Sequence, residues 1–204
     1  MTASRVILLR HGRTEWNLTG RFQGSLDVPL DEVGRAQADR AGRLLAALRP
    51  AAIVSSDLSR ARDTAAPLRA LTGLAVRVDP RVRERHYGEW EGLPTDDVRS
   101  RFPTEFAAWD PPGAETYEQV AERVVPAVRD AVDTTADGGV LVVVSHGGAI
   151  RTGVAVLLGL SARPRVLGPM SNCCWSVLSV AGSGWRLLEY NAGTLPEPVL
   201  GDER

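Results

Sequence analysis

The stretch Val6-Ile7-Leu8-Leu9-Arg10-His11-Gly12-Arg13-Thr14-Glu15-Trp16-Asn17 runs four aliphatic residues straight into a cation, an imidazole and a glycine. A short apolar run bounded by polar and turn-forming residues predicts a strand buried on both faces, as in a parallel sheet. Ligands bind outside the carboxyl ends of such strands. Arg10 and His11 are therefore expected at the mouth of a site, with Gly12 letting the backbone turn sharply. Much later, Val140-Leu141-Val142-Val143-Val144-Ser145-His146-Gly147-Gly148 repeats the build. Only 3 histidines occur in the chain, and two of them close these runs. Parallel strands lying side by side would bring both imidazoles to one rim, a coincidence that packing alone does not demand.

With 204 residues and 44% apolar content, the chain is long enough for one sizeable domain with a well-formed core. The 24 basic and 25 acidic residues leave a net charge of -1, so no global field points to nucleic acid or an anionic membrane. Every basic side chain is Arg and none is Lys. The guanidinium, a planar donor fork, is thus the sole permanent cation for holding a phosphate or carboxylate. Cys173 and Cys174 are adjacent; in a strand their side chains would point to opposite faces, which suits core packing rather than a disulfide. No Cys/His spacing resembles a zinc site, and the chemistry below calls for neither metal nor cofactor. Between Arg5 and Arg10 lie too few aliphatics for a signal peptide, and no run approaches a membrane span. A cytoplasmic protein is expected.

Outward from the opening strand, the loop from Arg13 to Pro29 is rich in polar and aromatic residues, among them Asn17, Arg21, Gln23 and Gly24. Long loops of this kind are often functional. Asp31 reads as the N-cap of a helix running from Val33 to Leu48 and ended by Pro50. Ala51 to Ser55 is strand-like and leads to a helix capped by Ser56 or Asp57. Arg60 then falls in that helix's first turn, beside backbone donors that favour an anion. Pro67 implies a kink or break, Gly73 a helix end, and Leu74 to Val78 a further strand. The mixed loop Arg81 to Gly92 holds Glu84, Glu89 and Glu91, any of which suits a general acid. Pro94 to Phe102 suggests a short helix and Pro103 to Gly113 a lid or loop. Thr116 to Gln119 has capping-box form and opens a helix to about Val132, interrupted at Pro126. Ala149 to Leu160 reads as an apolar helix, and Cys173 to Val180 with Trp185 to Tyr190 as a closing hairpin. Alternating strands and helices predict an α/β fold, a mostly parallel central sheet covered by helices on both faces. Residues 1–195 form one domain in this reading and 196–204 a loose tail.

Two histidines, two arginines and a carboxylate around one pocket suit phosphoryl transfer. Arg10 and Arg60 can neutralise the phosphoryl oxygens. A neutral imidazole can attack phosphorus and form a covalent intermediate. A carboxylic acid can protonate the leaving alkoxide, and once ionised can activate water.

Arg10-His11-Gly12-Arg13-Thr14-Glu15-Trp16-Asn17 resembles the R-H-G-x-T-x-x-N signature of the histidine phosphatase superfamily, which includes the cofactor-dependent phosphoglycerate mutases. Arg21-Phe22-Gln23-Gly24 with Asp27 to Leu30, Ser55 to Ala61, Glu84 to Gly92 and Ser145 to Gly148 resemble its later blocks, in order. The resemblance implies His11 as the phosphorylated nucleophile, Arg10, Arg60 and His146 as the phosphate clamp, and Glu84 as the acid/base. Asn17, Gln23, Gly24 and Gly147 would add contacts, Arg13, Arg21 and Arg85 could reach a second anionic group, and Glu115 is a further pocket candidate. Glu89 and Glu91 become structural by default. Mutases of the family carry a longer, basic insertion after the acid glutamate, whereas Pro94 to Gly113 is short with only Arg99 and Arg101. A phosphohistidine open to solvent hydrolyses. The resemblance therefore implies a phosphatase acting on a small-molecule phosphate ester, with a phosphoglycerate mutase as the alternative. His86 and Tyr87 pull towards that alternative. The stretch from Ile53 to Val78 and the ending Pro169 to Asn172 with Trp175 are similar to small members that include glucosyl-3-phosphoglycerate phosphatases. A homodimer enters only as the family's habit.

Overall fold

The computed structural model describes residues 3–181 and 184–193; the expected tail from Pro196 and the hairpin turn at 182–183 lie outside them. The first strand, β1 (Arg5–Arg10), is followed by a short helix α1 (Glu15–Leu18) and by α2 (Glu32–Ala46). Then come β2 (Ala52–Ser55), α3 (Ser59–Thr72) and β3 (Val76–Val78). A loop with two 3-10 turns leads to α4 (Thr95–Arg101), α5 (Pro103–Ala108) and the long α6 (Tyr117–Asp133). The chain closes with β4 (Val140–Ser145), α7 (Gly147–Leu157), β5 (Trp175–Ala181) and β6 (Gly184–Ala192).

The strands form a 6-stranded sheet in the order β3-β2-β4-β1-β5-β6. β1 pairs in parallel with β4, and β2 in parallel with both β4 and β3. The β5–β6 hairpin adds the antiparallel edge. The period of two along a strand decides which helix pair covers which face. Val6, Leu8, Leu141 and Val143 pack with α6 and α7, while Ile7, Leu9, Val142 and Val144 pack with α2 and α3. From Val6 and Leu141 onward both strands are buried on both faces, which is why they read as unbroken aliphatic runs.

Several local expectations are corrected. Helix α3 passes through Pro67, and α6 through Pro126, without interruption. At the first of these, α2 lies so close that a Cβ added to Gly42 would stand 2.9 Å from Pro67 Cβ. Around the second, Val124, Val125, Ala127 and Val128 are all buried, and their packing holds the helix where a backbone hydrogen bond is missing. Neither Ser56 nor Asp57 is the N-cap of α3. That position is Leu58, with no side-chain cap, because Asp57 is paired with Arg83 and Ser56 Oγ faces a histidine. The Pro103 to Gly113 segment contains α5, with Pro103 at its start, where a missing N–H costs nothing. Its Phe106 and Trp109 pack with Trp90 and Phe22 in a separate aromatic cluster.

Candidate active site

The site follows from strand register. Arg10 at the end of β1 lies opposite Ser145 at the end of β4, so the next residues, His11 and His146, emerge side by side. Their ring centroids are 5.1 Å apart, tilted by 57°. His11 N donates to the Ser145 carbonyl at 3.0 Å, which locks the two strand ends together. Gly12 then turns the chain under α2, where an added Cβ would stand 2.4 Å from the Gly34 carbonyl oxygen. Its N–H donates to Thr64 Oγ1 at 2.9 Å, tying the turn to α3.

Hydrogen bonds define both tautomers. His11 Nδ1 lies 2.7 Å from the Gly12 carbonyl, which can only accept, so Nδ1 carries the proton and Nε2 keeps its lone pair. Arg60 Nε donates to His146 Nδ1 at 3.2 Å. His146 Nε2 therefore carries the proton and donates to Ser56 Oγ at 2.9 Å. Burial, with the cations Arg60 and Arg10, holds the His11 pKa well below 6.5, against the pull of the Gly12 carbonyl. Burial, Arg60, His11 and Arg10 do the same to His146. Both rings are neutral near pH 7.

Arg60 is fully buried and donates to the carbonyls of Leu26 and Gly24, each at 2.7 Å. Burial lowers its pKa to about 10, opposed by Glu84, Asp27 and Glu91, and it stays charged. Arg10 is buried beside it and bonds the Met170 carbonyl. Glu84 sits at the N-terminus of α7: its carboxylate accepts from Gly148 N at 3.0 Å, Ala149 N at 2.9 Å and Arg85 N at 2.7 Å. A Cβ at Gly148 would come within 2.6 Å of Glu84 Oε1, so a larger residue there would have to push the carboxylate aside. Gly147, by contrast, leaves room for a Cβ at 3.5 Å from Arg10 Nε.

The remaining residues singled out in the sequence fall around this centre in different ways. Asn17 is the N3 residue of the α1 capping box, accepting from Thr14 and from Asn172 Nδ2 at 3.2 Å. Gln23 and Gly24 belong to the loop that Arg60 holds down; a Cβ on Gly24 would overlap the Glu91 carboxylate. Arg13 is paired with Asp31 at 2.7 Å, and Arg21 donates to the Gly92 carbonyl at 2.9 Å. Arg85 is only 2% exposed, with its guanidinium 4.3 Å from the Tyr117 ring centroid. Glu115 faces Arg123 at 2.8 Å. Glu91 ties Ser25, His86 and Tyr87 together. Asn172, whose Nδ2 also donates to the His11 carbonyl at 3.1 Å, together with Thr64, Ser56 and Arg123, was not legible as part of the site. Each acts through contacts between distant parts of the chain. Among the described residues no cluster of three or more His, Cys, Asp or Glu could hold a metal ion.

Paired strand-end imidazoles lie beside buried guanidinium groups on a mostly parallel sheet, a donor set whose chemistry suits an oxyanion in α/β enzymes. Residues 6–193 match the histidine phosphatase superfamily (branch 1), and the chain belongs to that family. It is an enzyme of the phosphatase class. The glucosyl-3-phosphoglycerate phosphatase of Mycobacterium tuberculosis is 42% identical over 214 residues, covering 94% of this chain and 96% of that protein. The corresponding enzyme of Mycolicibacterium vanbaalenii is 39% identical over 216 residues, covering 94% and 96%. A solved structure of the mycobacterial phosphatase in complex with VO3 superposes with a TM-score of 0.89 at 42% identity, covering 94% of this chain and 100% of that one.

Proposed function

We propose that the chain is a metal-independent phosphomonoesterase that works through a phosphohistidine at His11. The observation that carries this reading is the His11 ring itself: buried, neutral, its Nδ1–H spent on the Gly12 carbonyl and its Nε2 lone pair therefore available. In the first half-reaction Nε2 attacks phosphorus, the P–O ester bond breaks, and its electron pair leaves with the alkoxide. Glu84 in its acid form supplies the proton that completes the alcohol. In the second, water attacks the phosphohistidine, the P–N bond breaks, its electrons return to the imidazole, and the Glu84 carboxylate takes the water's proton. Arg10 and Arg60 neutralise the phosphoryl oxygens without moving, because the fold already holds them. His146 stays neutral in both steps: its Nδ1 accepts from Arg60 Nε and its Nε2–H donates to Ser56 Oγ, so the ring orients the Arg60 guanidinium.

The substrate is a small phosphorylated sugar or acid, with glucosyl-3-phosphoglycerate the first compound to try. Identity of 42% to the mycobacterial enzyme, over nearly all of both chains, supports that choice. The free, buried cysteines suit a reducing compartment such as the cytoplasm. The test is hydrolysis of a panel of phosphate esters in excess chelator, for wild type and His11→Ala. The expected outcome is full wild-type turnover with chelator present, a sharp preference within the panel, and loss of activity in the variant. Undiminished turnover in His11→Ala would defeat the mechanism. A chain that interconverts 3- and 2-phosphoglycerate faster than it releases phosphate would be a mutase instead.

A further inference from the structure

The carboxylate of Glu84 is fixed by α7, but its backbone is fixed from elsewhere. Arg123, on α6, points its guanidinium at the loop that carries Glu84. Nη1 donates to the carbonyls of Arg81 at 2.9 Å and Arg83 at 2.7 Å, and Nη2 to the carbonyl of Glu84 itself at 2.9 Å. Nε and Nη2 also hold the two Glu115 carboxylate oxygens, each at 2.8 Å. An arginine has five N–H donors, and these five bonds occupy all of them. Glu115 grips the far side of the same loop: its carboxylate accepts from His86 N at 2.9 Å, its carbonyl from Arg85 Nε at 2.7 Å, and its N–H donates to the His86 carbonyl at 3.0 Å.

We propose that Arg123, locked to Glu115, is the positioning residue for the acid/base Glu84, clamping the backbone on both sides of it. The inference rests on the reading of Glu84 given above. Loops ordinarily leave a side chain loose, whereas proton transfer to a leaving oxygen requires it placed within hydrogen-bond reach. Residues 81 to 86 have little regular structure of their own to impose that placement. The clamp supplies it through carbonyl acceptors, which need no particular side chain at 81 or 83 and so leave no mark in the sequence. Lysine could substitute only in part, since a three-donor ammonium cannot reach three carbonyls and both carboxylate oxygens at once.

The experiment measures kcat/KM for an activated aryl ester, 4-nitrophenyl phosphate, and for an unactivated alkyl ester, glycerol 3-phosphate. The variants are Arg123→Ala, Arg123→Lys, Glu115→Gln and Glu84→Gln, with Glu84→Gln/Arg123→Ala as the double. A misplaced acid hurts only the substrate that needs it. Arg123→Ala should therefore lose about tenfold more on the alkyl than on the aryl ester. Glu115→Gln and Arg123→Lys should fall between it and wild type, and the double variant should show the same aryl-to-alkyl ratio as Glu84→Gln alone. A purely structural role would shrink the folded fraction and lower both substrates equally, leaving the ratio at its wild-type value; that result overturns the proposal. Should Arg123→Ala not fold, the ratio in Arg123→Lys and Glu115→Gln decides in the same way. If Glu84→Gln itself leaves the ratio unchanged, the acid role of Glu84 fails and the clamp with it. A shift in Glu84→Gln without one in the Arg123 and Glu115 variants overturns the clamp alone.

Discussion

His11 and His146 are unlike the third histidine, His86, in one respect that matters for both chemistry and stability: they have given up water without gaining a carboxylate. His86 is partly exposed and sits 2.7 Å from Glu91. The two strand-end rings are buried against arginines, and both have pKa values driven well below 6.5. In the unfolded chain each would titrate near its ordinary value. Between the two limits the unfolded state binds more protons, so acidification favours it. Their neutrality costs nothing above about pH 6.5 and progressively destabilises the fold below it, by up to about 1.4 kcal/mol per pH unit for each ring. Denaturant unfolding of the ligand-free protein between pH 6.5 and about pH 5 should show this slope, above the range where carboxylates begin to titrate. His146→Gln should flatten it by roughly one ring's share; an unchanged slope would mean the ring is not buried neutral. The two histidines were legible in the sequence because each ends an aliphatic run. Arg123 and Ser56 were not, because a side chain that bonds carbonyls or a single ring nitrogen leaves no spacing signature.

At the scale of elements, the turn after β1 depends on how closely α2 approaches it. Gly12 and Gly34 have no side chains at the contact, and a Cβ on Gly34 would stand 2.0 Å from the Arg13 carbonyl oxygen. Backbone lies against backbone on both sides, so neither position can relax by moving a flexible side chain. Gly12→Ala should therefore cost about 3 kcal/mol, at the upper end for an overpacked site, lowering Tm by about 6–12 °C in a chain of this length. Calorimetry checks it, and an unshifted Tm would show that α2 can withdraw without cost. The same closeness explains where reading of the helices fell short. Pro67 and Pro126 signal breaks by local rules, yet the packing of α2 on α3 at Gly42 and the buried valines of α6 outweigh a lost hydrogen bond. Conversely, Thr116 and Asp31 cap their helices as expected, because capping is decided by neighbours in sequence.

Across the whole molecule, the order β3-β2-β4-β1-β5-β6 puts the two signature strands at the centre, with helices α2 and α3 on one face and α6 and α7 on the other. Side chains from the first, middle and last thirds of the chain therefore converge on one rim, and the cations among them are there before any ligand arrives. The fold carries a standing penalty: Arg60 is 0% exposed, donates to carbonyls and an imidazole, and has its pKa lowered to about 10 by that burial. A phosphate ion seated between Arg10, Arg60 and the two histidines would relieve it, and would bind the native state only. Inorganic phosphate at a hundred times its Kd should then add about 2.7 kcal/mol to stability, raising Tm by about 5–11 °C. Phosphate also stabilises proteins by exclusion from their surfaces, an effect that grows without limit as concentration rises. Site binding differs in that the rise flattens logarithmically from a Kd-defined onset, and sodium chloride at matched ionic strength does not reproduce it. A Tm that climbs linearly with phosphate, or equally with chloride, would show that the buried charges are not waiting for an anion.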